Sequence, residues 1–203
     1  MQKVTIIDTG CANLSSVKFA FDRLGVECTV SADEKIINTS DKLILPGVGT
    51  AVAAMKNLKE RNLPEIITNC KQPILGICLG MQMLAQSSQE KMNSEEVQDI
   101  KCLGIINGQV KLMQVKNNPL PHMGWNQVFF KNDCPLFKDI NNGSYFYFVH
   151  SYALEVTEHT IGTCNYENDF SAIVNKDNFF GTQFHPEKSG KVGAKLLENF
   201  IKM

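Results

Sequence analysis

Three times in the first 85 residues, a short apolar run rich in branched side chains gives way to a pattern of helical period. Val4 to Ile7 reads as a strand, after which Leu14, Val17, Phe21 and Leu24 recur at helical spacing until Gly25. Leu43 to Leu45 reads as a second strand, ended by Pro46-Gly47-Val48-Gly49, with Thr50 placed to cap a helix carrying Ala51, Met55 and Leu58. Pro73 to Ile77 is a third strand, and Leu79 to Ala85 resumes the helical pattern. Strands alternating with helices need crossover connections, so they pair in parallel and carry helices on the faces of an α/β sheet. Ligands of such sheets sit beyond the carboxyl ends of the strands.

The second half reads differently. Ser87 to Lys101 (SSQEKMNSEEVQDIK) is polar and is expected to be a long surface loop. Strand candidates follow at Ile105 to Met113, Tyr145 to Val149, Ile161 to Asn165, Ser171 to Val174 and Phe180 to Phe184, and Val192, Leu196, Phe200 and Met203 mark a closing helix. No internal repeat, low-complexity tract or linker interrupts the chain, so residues 1–203 read as one domain. The expected fold is α/β: a single open, mostly parallel twisted sheet flanked by helices, with additional antiparallel strands in the second half. Twenty Lys and Arg against twenty-one Asp and Glu leave a net charge of −1, with no electrostatic footprint for nucleic acid or anionic lipid. No run approaches a membrane span, and MQKVTIID lacks the apolar core of a signal peptide, so the cytoplasm is the expected compartment.

The residues that can do chemistry cluster at predicted strand ends. Gly76-Ile77-Cys78-Leu79-Gly80, between a strand and a helix, has the pattern of a nucleophile elbow with cysteine in the serine position. The glycines leave room for a strained turn that thrusts Cys78 out of the strand end, toward N–H groups at a helix start that suit a negatively charged sulfur. A buried cysteine in an ordinary strand-to-helix turn is the structural alternative. A thiol nucleophile needs a base, and the base an orienter. His185-Pro186-Glu187 follows a strand, and in extended chain His185 and Glu187 would share a face. His122 and His150 sit near strand ends and read as structural or partner-facing, and His159, in a polar Glu-His-Thr context, as solvated. The Pro46-Gly47-Val48-Gly49 loop can turn an N–H near Val48 toward the site, and the N–H of Leu79 would be the second donor of an oxyanion hole. The seven cysteines contain no CxxC and the histidines number four, so reduced thiols, no metal and no cofactor are expected.

GICLGMQ, FHPE and PGVG, in this order-preserving context, resemble the class I (triad-type) glutamine amidotransferases, and the likeness spans the whole chain. DTGCANLSSV, LPGVGT, LGICLGMQML, PHMGWN, YFYFVHSY and QFHPEKSG are similar to a branch of that family whose glutaminase works with a separate synthase subunit in histidine biosynthesis. The opening departs from the commoner family form at Thr9, Cys11 and Ala12, away from the catalytic positions. The resemblance implies a flavodoxin-like core and hydrolysis of glutamine by Cys78, His185 and Glu187, with the oxyanion held near Val48 and by Leu79. It implies glutamine binding by Gln82 and Glu90, with backbone groups of Gly49, Ser151 and Tyr152 completing the pocket. The implied partner is a (β/α)8-barrel cyclase subunit that receives ammonia through an internal channel and forms imidazole glycerol phosphate and aminoimidazole carboxamide ribonucleotide. Asn13, Ser16, Trp125, Asn126, Tyr147 and Lys188 would lie at or near that interface, with the lone tryptophan as an anchor. It also implies low glutaminase activity until the partner holds its nucleotide. A glutaminase serving another synthase, a non-catalytic α/β binding module and a cysteine hydrolase of other substrates are the competing readings.

Overall fold

The computed structural model describes residues 2–10, 14–90, 99–131 and 133–203. The apolar runs of the first half become β1 (Val4–Ile7), β2 (Cys28–Ser31), β3 (Lys42–Leu45) and β4 (Ile74–Ile77). Between them run α1 (Leu14–Arg23), α2 (Glu34–Asn38), α3 (Ala51–Glu60) and α4 (Leu63–Asn69). Thr50 caps α3 as expected, its hydroxyl accepting from the Ala53 N–H. After β4 come α5 (Leu79–Met83), β5 (Ala85–Ser88), β6 (Ile100–Lys101), β7 (Ile106–Leu112), β8 (His122–Phe130) and β9 (Ser144–His150). The chain ends with β10 (Tyr152–Leu154), β11 (Thr160–Tyr166), β12 (Asn168–Lys176), β13 (Phe179–Thr182) and α6 (Gly190–Lys202).

Nine strands form one sheet in the order β2-β1-β3-β4-β13-β12-β11-β8-β9. The first five pair in parallel and the remaining neighbours are antiparallel. The sequence reading of an α/β sheet with antiparallel strands in the second half describes this sheet. A second, four-stranded sheet, β10-β7-β5-β6, stands beside it and was not anticipated. It arises because α5 stops at Met83, two residues before the expected end, and Ala85 opens a strand that pairs with Ile106. The polar Ser87 to Lys101 stretch is correspondingly not all loop: Ser87 and Ser88 end β5 and pair with β6. The part of that stretch from 91 to 98 lies outside the described residues.

The parallel strands β1, β3, β4 and β13 are buried on both faces, which is why they read as apolar runs. Side chains alternate between two cores. Val4, Ile6, Ile44, Leu75 and Ile77 pack with Val17 and Phe21 of α1 and Leu196, Leu197 and Phe200 of α6. Ile7, Leu43, Leu45 and Ile74 pack on the opposite side with Met55, Leu58, Leu63 and Ile67 of α3 and α4. β2 left a weaker mark in the sequence because it is an edge strand whose middle residues, Thr29 and Val30, are exposed.

The start of α5 approaches the end of β3 closely. A Cβ at Gly80 would lie 1.9 Å from the Leu45 carbonyl oxygen, and one at Gly47 would lie 2.5 Å from the Gly80 nitrogen. Only glycine allows that contact, because both obstructions are backbone. Gly80→Ala is therefore expected to lower the unfolding free energy by about 2 kcal/mol or more in urea denaturation. A loss under ~0.5 kcal/mol, within the range of neutral surface changes, would show that the two backbones separate freely.

Candidate active site

β3, β4 and β13 are neighbours, run in the same direction and end at one edge of the sheet. Each hands the chain to one part of the site: β3 to Pro46-Gly47-Val48-Gly49, β4 to Cys78, and β13 to Gln183-Phe184-His185. Ile77 and Thr182 are register partners, and the Cys78 N–H continues the ladder by donating to the Thr182 carbonyl at 2.7 Å. Cys78 has φ 54° and ψ −112° and precedes α5 directly. A positive φ at a residue with a side chain costs about 1–3 kcal/mol and persists only where surrounding bonds hold it. Here the Thr182 carbonyl holds one end and the Gln82 N–H, donating to the Cys78 carbonyl at 3.1 Å, the other. The turn is the elbow expected from Gly76 to Gly80.

Cys78 lines a cavity of about 250 Å³. Val48, Gly49, Leu79, Gln82, Glu90, Ser151, Tyr152, His185 and Lys188 line it as well, so the expected oxyanion and glutamine-binding residues converge there. Leu79 is the first residue of α5, and its N–H is one of those a helix cannot satisfy internally. Gly49 has φ +92°, a conformation that favours glycine and lets the loop turn beside Cys78.

His185 and Cys78 line the same cavity, and His185 Nδ1 lies 2.7 Å from Glu187 Oε1. The route differs from the expected one. The chain leaves its extended course after His185 and makes a 3-10 turn over Pro186–Lys188, and the turn, not an extended strand, folds the carboxylate back under the imidazole. The His185 backbone is fixed on both sides. Its N–H donates to the Tyr147 carbonyl at 2.9 Å, and its carbonyl accepts from the Ser189 hydroxyl at 2.6 Å. The Glu187 side chain is only 2% exposed, and its Oε2 has no hydrogen-bond partner among the described residues. Burial on its own pushes the His185 pKa down. The hydrogen bonds and negative charges of Cys78 and Glu187 outweigh it and raise the pKa from 6.5 to about 10.

Gln82 Nε2 donates to the Tyr152 carbonyl at 2.8 Å and to Gln183 Oε1 at 2.9 Å, while Gln183 Nε2 lies 3.8 Å from Cys78 Sγ. Gln183 is fully buried and escaped the sequence reading. Its signal was a glutamine inside the apolar run Phe179 to Phe184, two residues before His185. Glu90 Oε2 accepts from the Ala51 N–H at 2.8 Å, and burial pushes its carboxyl pKa up against that bond. The carbonyls of Ser151 and Tyr152 are already engaged, by Met113 N–H and by Gln82 and His150 respectively.

Of the other histidines, His122 and His150 are buried side by side, which answers to the structural one of the two readings. His159, read as solvated, has a side chain only 17% exposed in the turn before β11, with Nε2 3.5 Å from Glu158 Oε1. Of the expected interface residues, Trp125 is 54% exposed, edge-on to Tyr147 at 6.1 Å, with Met123 and Tyr145 exposed nearby, so it is not a core tryptophan. Lys188 is exposed at the cavity rim, and Ser16 is half-buried on α1. The Asn126 amide turns inward to His122 and the Asn165 carbonyl. Asn13 lies outside the described residues.

The family described as Glutamine amidotransferase class-I matches residues 5–203 of the chain. The imidazole glycerol phosphate synthase subunit HisH of Vibrio parahaemolyticus is 56% identical over 203 residues, covering 100% of this chain and 98% of the relative. The subunit of that name from Haemophilus influenzae is 54% identical over 201 residues, covering 99% and 98%. Among solved structures, a putative GMP synthase subunit from Thermoplasma acidophilum is similar at a TM-score of 0.75 and 18% identity, over 100% of this chain and 93% of that one. A glutamine amidotransferase is similar at a TM-score of 0.71 and 16% identity, over 98% and 97%. At those identities the two structures speak for the fold alone.

Because Glu187 holds part of the proton on His185, Glu187→Gln should move the His185 protonation midpoint down from about 10 by a unit or more, read by NMR titration of labelled histidine. The raised pKa also sets a sign for stability. The contribution of the bound proton is complete below the ordinary 6.5 and is lost as pH rises through about 10. An unmoved midpoint in Glu187→Gln would assign the shift to Cys78 alone.

Proposed function

The chain belongs to the glutamine amidotransferase class-I family, and we propose that its cavity is where glutamine is hydrolysed, the protein acting as the glutaminase subunit of imidazole glycerol phosphate synthase in histidine biosynthesis. The observation that carries this reading is that Cys78 and His185, the latter hydrogen-bonded to Glu187, line one cavity at the ends of adjacent parallel strands, in a chain matched over its full length by HisH subunits.

In this reading Cys78, as the thiolate beside protonated His185, attacks the side-chain carbonyl carbon of glutamine, and backbone N–H groups near Val48 and of Leu79 stabilise the oxyanion. His185 gives its proton to the departing amide nitrogen, and ammonia leaves as the γ-glutamyl thioester forms. His185 then takes a proton from water, which attacks the thioester and releases glutamate, its carboxyl proton passing to bulk water, and the Cys78 thiolate beside the protonated His185. Glu187 orients the imidazole and stabilises its charged form. Glu90 offers a carboxylate for the substrate ammonium, and Gln82 and the backbone at Gly49, Ser151 and Tyr152 shape the rest of the pocket.

Ammonia released into water is lost as ammonium, so the product needs a receiver held against this chain. The proposed receiver is a (β/α)8-barrel cyclase subunit forming a heterodimer, with the exposed face of Trp125, Met123 and Tyr145 beside the cavity as its docking ground. Ser16, Tyr147, Lys188 and, beyond the described residues, Asn13 would border it. Asn126 would support the same strand from behind. No described helix is long and apolar enough to cross a membrane, and the reading takes the cytoplasm as the compartment. Rotation of a peptide in the Gly47-Val48-Gly49 loop, completing the oxyanion donors, is the proposed way in which the nucleotide-loaded partner activates hydrolysis.

The test is glutamate release from glutamine, with and without the synthase partner and its nucleotide. The loaded complex should exceed the isolated chain by on the order of 10²-fold, the worth of one oxyanion donor. Cys78→Ser should lower the rate of the loaded complex by at least ~10³-fold. Release that is independent of the partner and survives Cys78→Ser would overturn both the role of Cys78 and the glutaminase assignment.

A further inference from the structure

A chain of hydrogen bonds starts on β8, passes through the buried pair His122 and His150, and ends at the cavity wall. Asn126 Oδ1 accepts from the Gln127 N–H at 2.8 Å, and Nδ2 donates to the Asn165 carbonyl at 2.9 Å. The same nitrogen lies 3.3 Å from His122 Nε2, which must therefore accept, leaving the proton of a neutral ring on Nδ1. His122 Nδ1 lies 3.0 Å from His150 Nε2, and His150 Nδ1 lies 2.9 Å from the Tyr152 carbonyl oxygen. A carbonyl only accepts, so His150 also carries its proton on Nδ1. The two ends of the chain thus impose the same direction, with every donor meeting an acceptor. The Tyr152 carbonyl accepts its other hydrogen bond from Gln82.

The surroundings favour neutral rings. His122 stacks on Tyr166 at 4.1 Å and on Phe148 at 4.9 Å, and burial lowers its pKa to about 4. His150 lies against Phe170 at 5.1 Å, and burial, with the charge of His185 among the lesser causes, lowers its pKa to about 3. Two apolar side chains would fill this space without the cost of burying four ring nitrogens. What the imidazoles add is a fixed donor under the Tyr152 carbonyl, the atom on which the Gln82 amide also rests.

We propose that His122 and His150 are positioning residues for glutamine: as neutral, Nδ1-protonated rings they anchor the Tyr152 carbonyl and, through it, the Gln82 amide at the wall the substrate meets. The proposal rests on the glutaminase reading of this cavity.

The test uses the complex with the synthase partner and its nucleotide. His150→Phe keeps a ring of similar size and removes the donor, so KM for glutamine should rise about tenfold, the scale of one hydrogen bond, with kcat within about threefold. His150→Asn restores an N–H near the Nδ1 position and should recover most of the loss. His122→Phe keeps the stacking but leaves His150 Nε2 without its donor. It should raise KM less and shift the His150 ring nitrogens in the NMR spectrum away from the pure Nδ1–H tautomer. In wild type both rings should show that tautomer at neutral pH. A folded His150→Phe with unchanged KM, or a fall in kcat alone, would overturn the positioning role. If His150→Phe does not fold, His122→Phe and the wild-type spectra decide, and an Nε2–H signature on either wild-type ring overturns the relay. A wild-type complex that releases no glutamate overturns the glutaminase reading, and the substrate role with it, whatever the spectra show.

Discussion

The parallel pairing of β4 with β13 joins stretches of chain about a hundred residues apart, and the candidate site has no existence before that pairing forms. Gln183 and Cys78, in contact at its end, are 105 positions apart in sequence. The cost of closing such a loop grows slowly with length but must be met before the contacts return anything. What returns it is burial: both strands are covered on both faces. The register is set by that burial, because a slip by one residue would exchange the side chains bound for the two cores. Once Thr182 faces Ile77, the Cys78 N–H meets the Thr182 carbonyl, the elbow is held in its strained φ, and the chain emerging from β13 carries His185 alongside.

The edge strand β9 completes the constraint from the far end of the same sheet. Its Tyr147 carbonyl accepts from the His185 N–H, and its Tyr147 N–H donates to the Ser189 hydroxyl, which donates in turn to the His185 carbonyl. The exposed backbone of the last strand is thereby used to hold the imidazole-bearing turn. This also answers the liability of a free sheet edge, since part of its hydrogen-bonding row is occupied.

The parts of the molecule that were legible in the sequence are those whose cause is local. The elbow showed itself because Gly76 and Gly80 flank the one residue that must take a positive φ, and the PGVG loop because Gly47 lets two backbones touch. His185 and Glu187 were legible as a pair, though the expected extended geometry was replaced by a proline-started 3-10 turn; the same two atoms meet by either route. The features that stayed hidden are set by pairing at a distance. β8 mixes histidine, glycine, asparagine and glutamine, and its burial follows no simple alternation, so it carries no strand signal of its own. His122 and His150 stand opposite each other only because β8 and β9 pair in that register. Gln183 reads as one polar residue in an apolar run until Gln82 and Cys78 are brought against it. The second sheet was hidden for the same reason, since β5 is recognisable as a strand only from its partner β7.

Three histidines lie nearly buried around the cavity, and burial acts on all of them in the same sense, against charge. Their protonation diverges because their neighbours differ. His185 faces a carboxylate and a sulfur and keeps its proton up to about pH 10. His150 and His122 face a carbonyl, an amide and each other, and they stay neutral down to about 3 and 4. The contrast is self-reinforcing, since the charge on His185 is itself among the causes that keep His150 neutral. A proton added to His150 Nε2 would point at the Nδ1–H of His122, donor against donor, and the chain from Asn126 to Tyr152 would break there. The cavity is thus arranged to hold one imidazolium, at His185, and the neutral pair behind it is the condition under which both the Tyr152 carbonyl and the Gln82 amide keep their places.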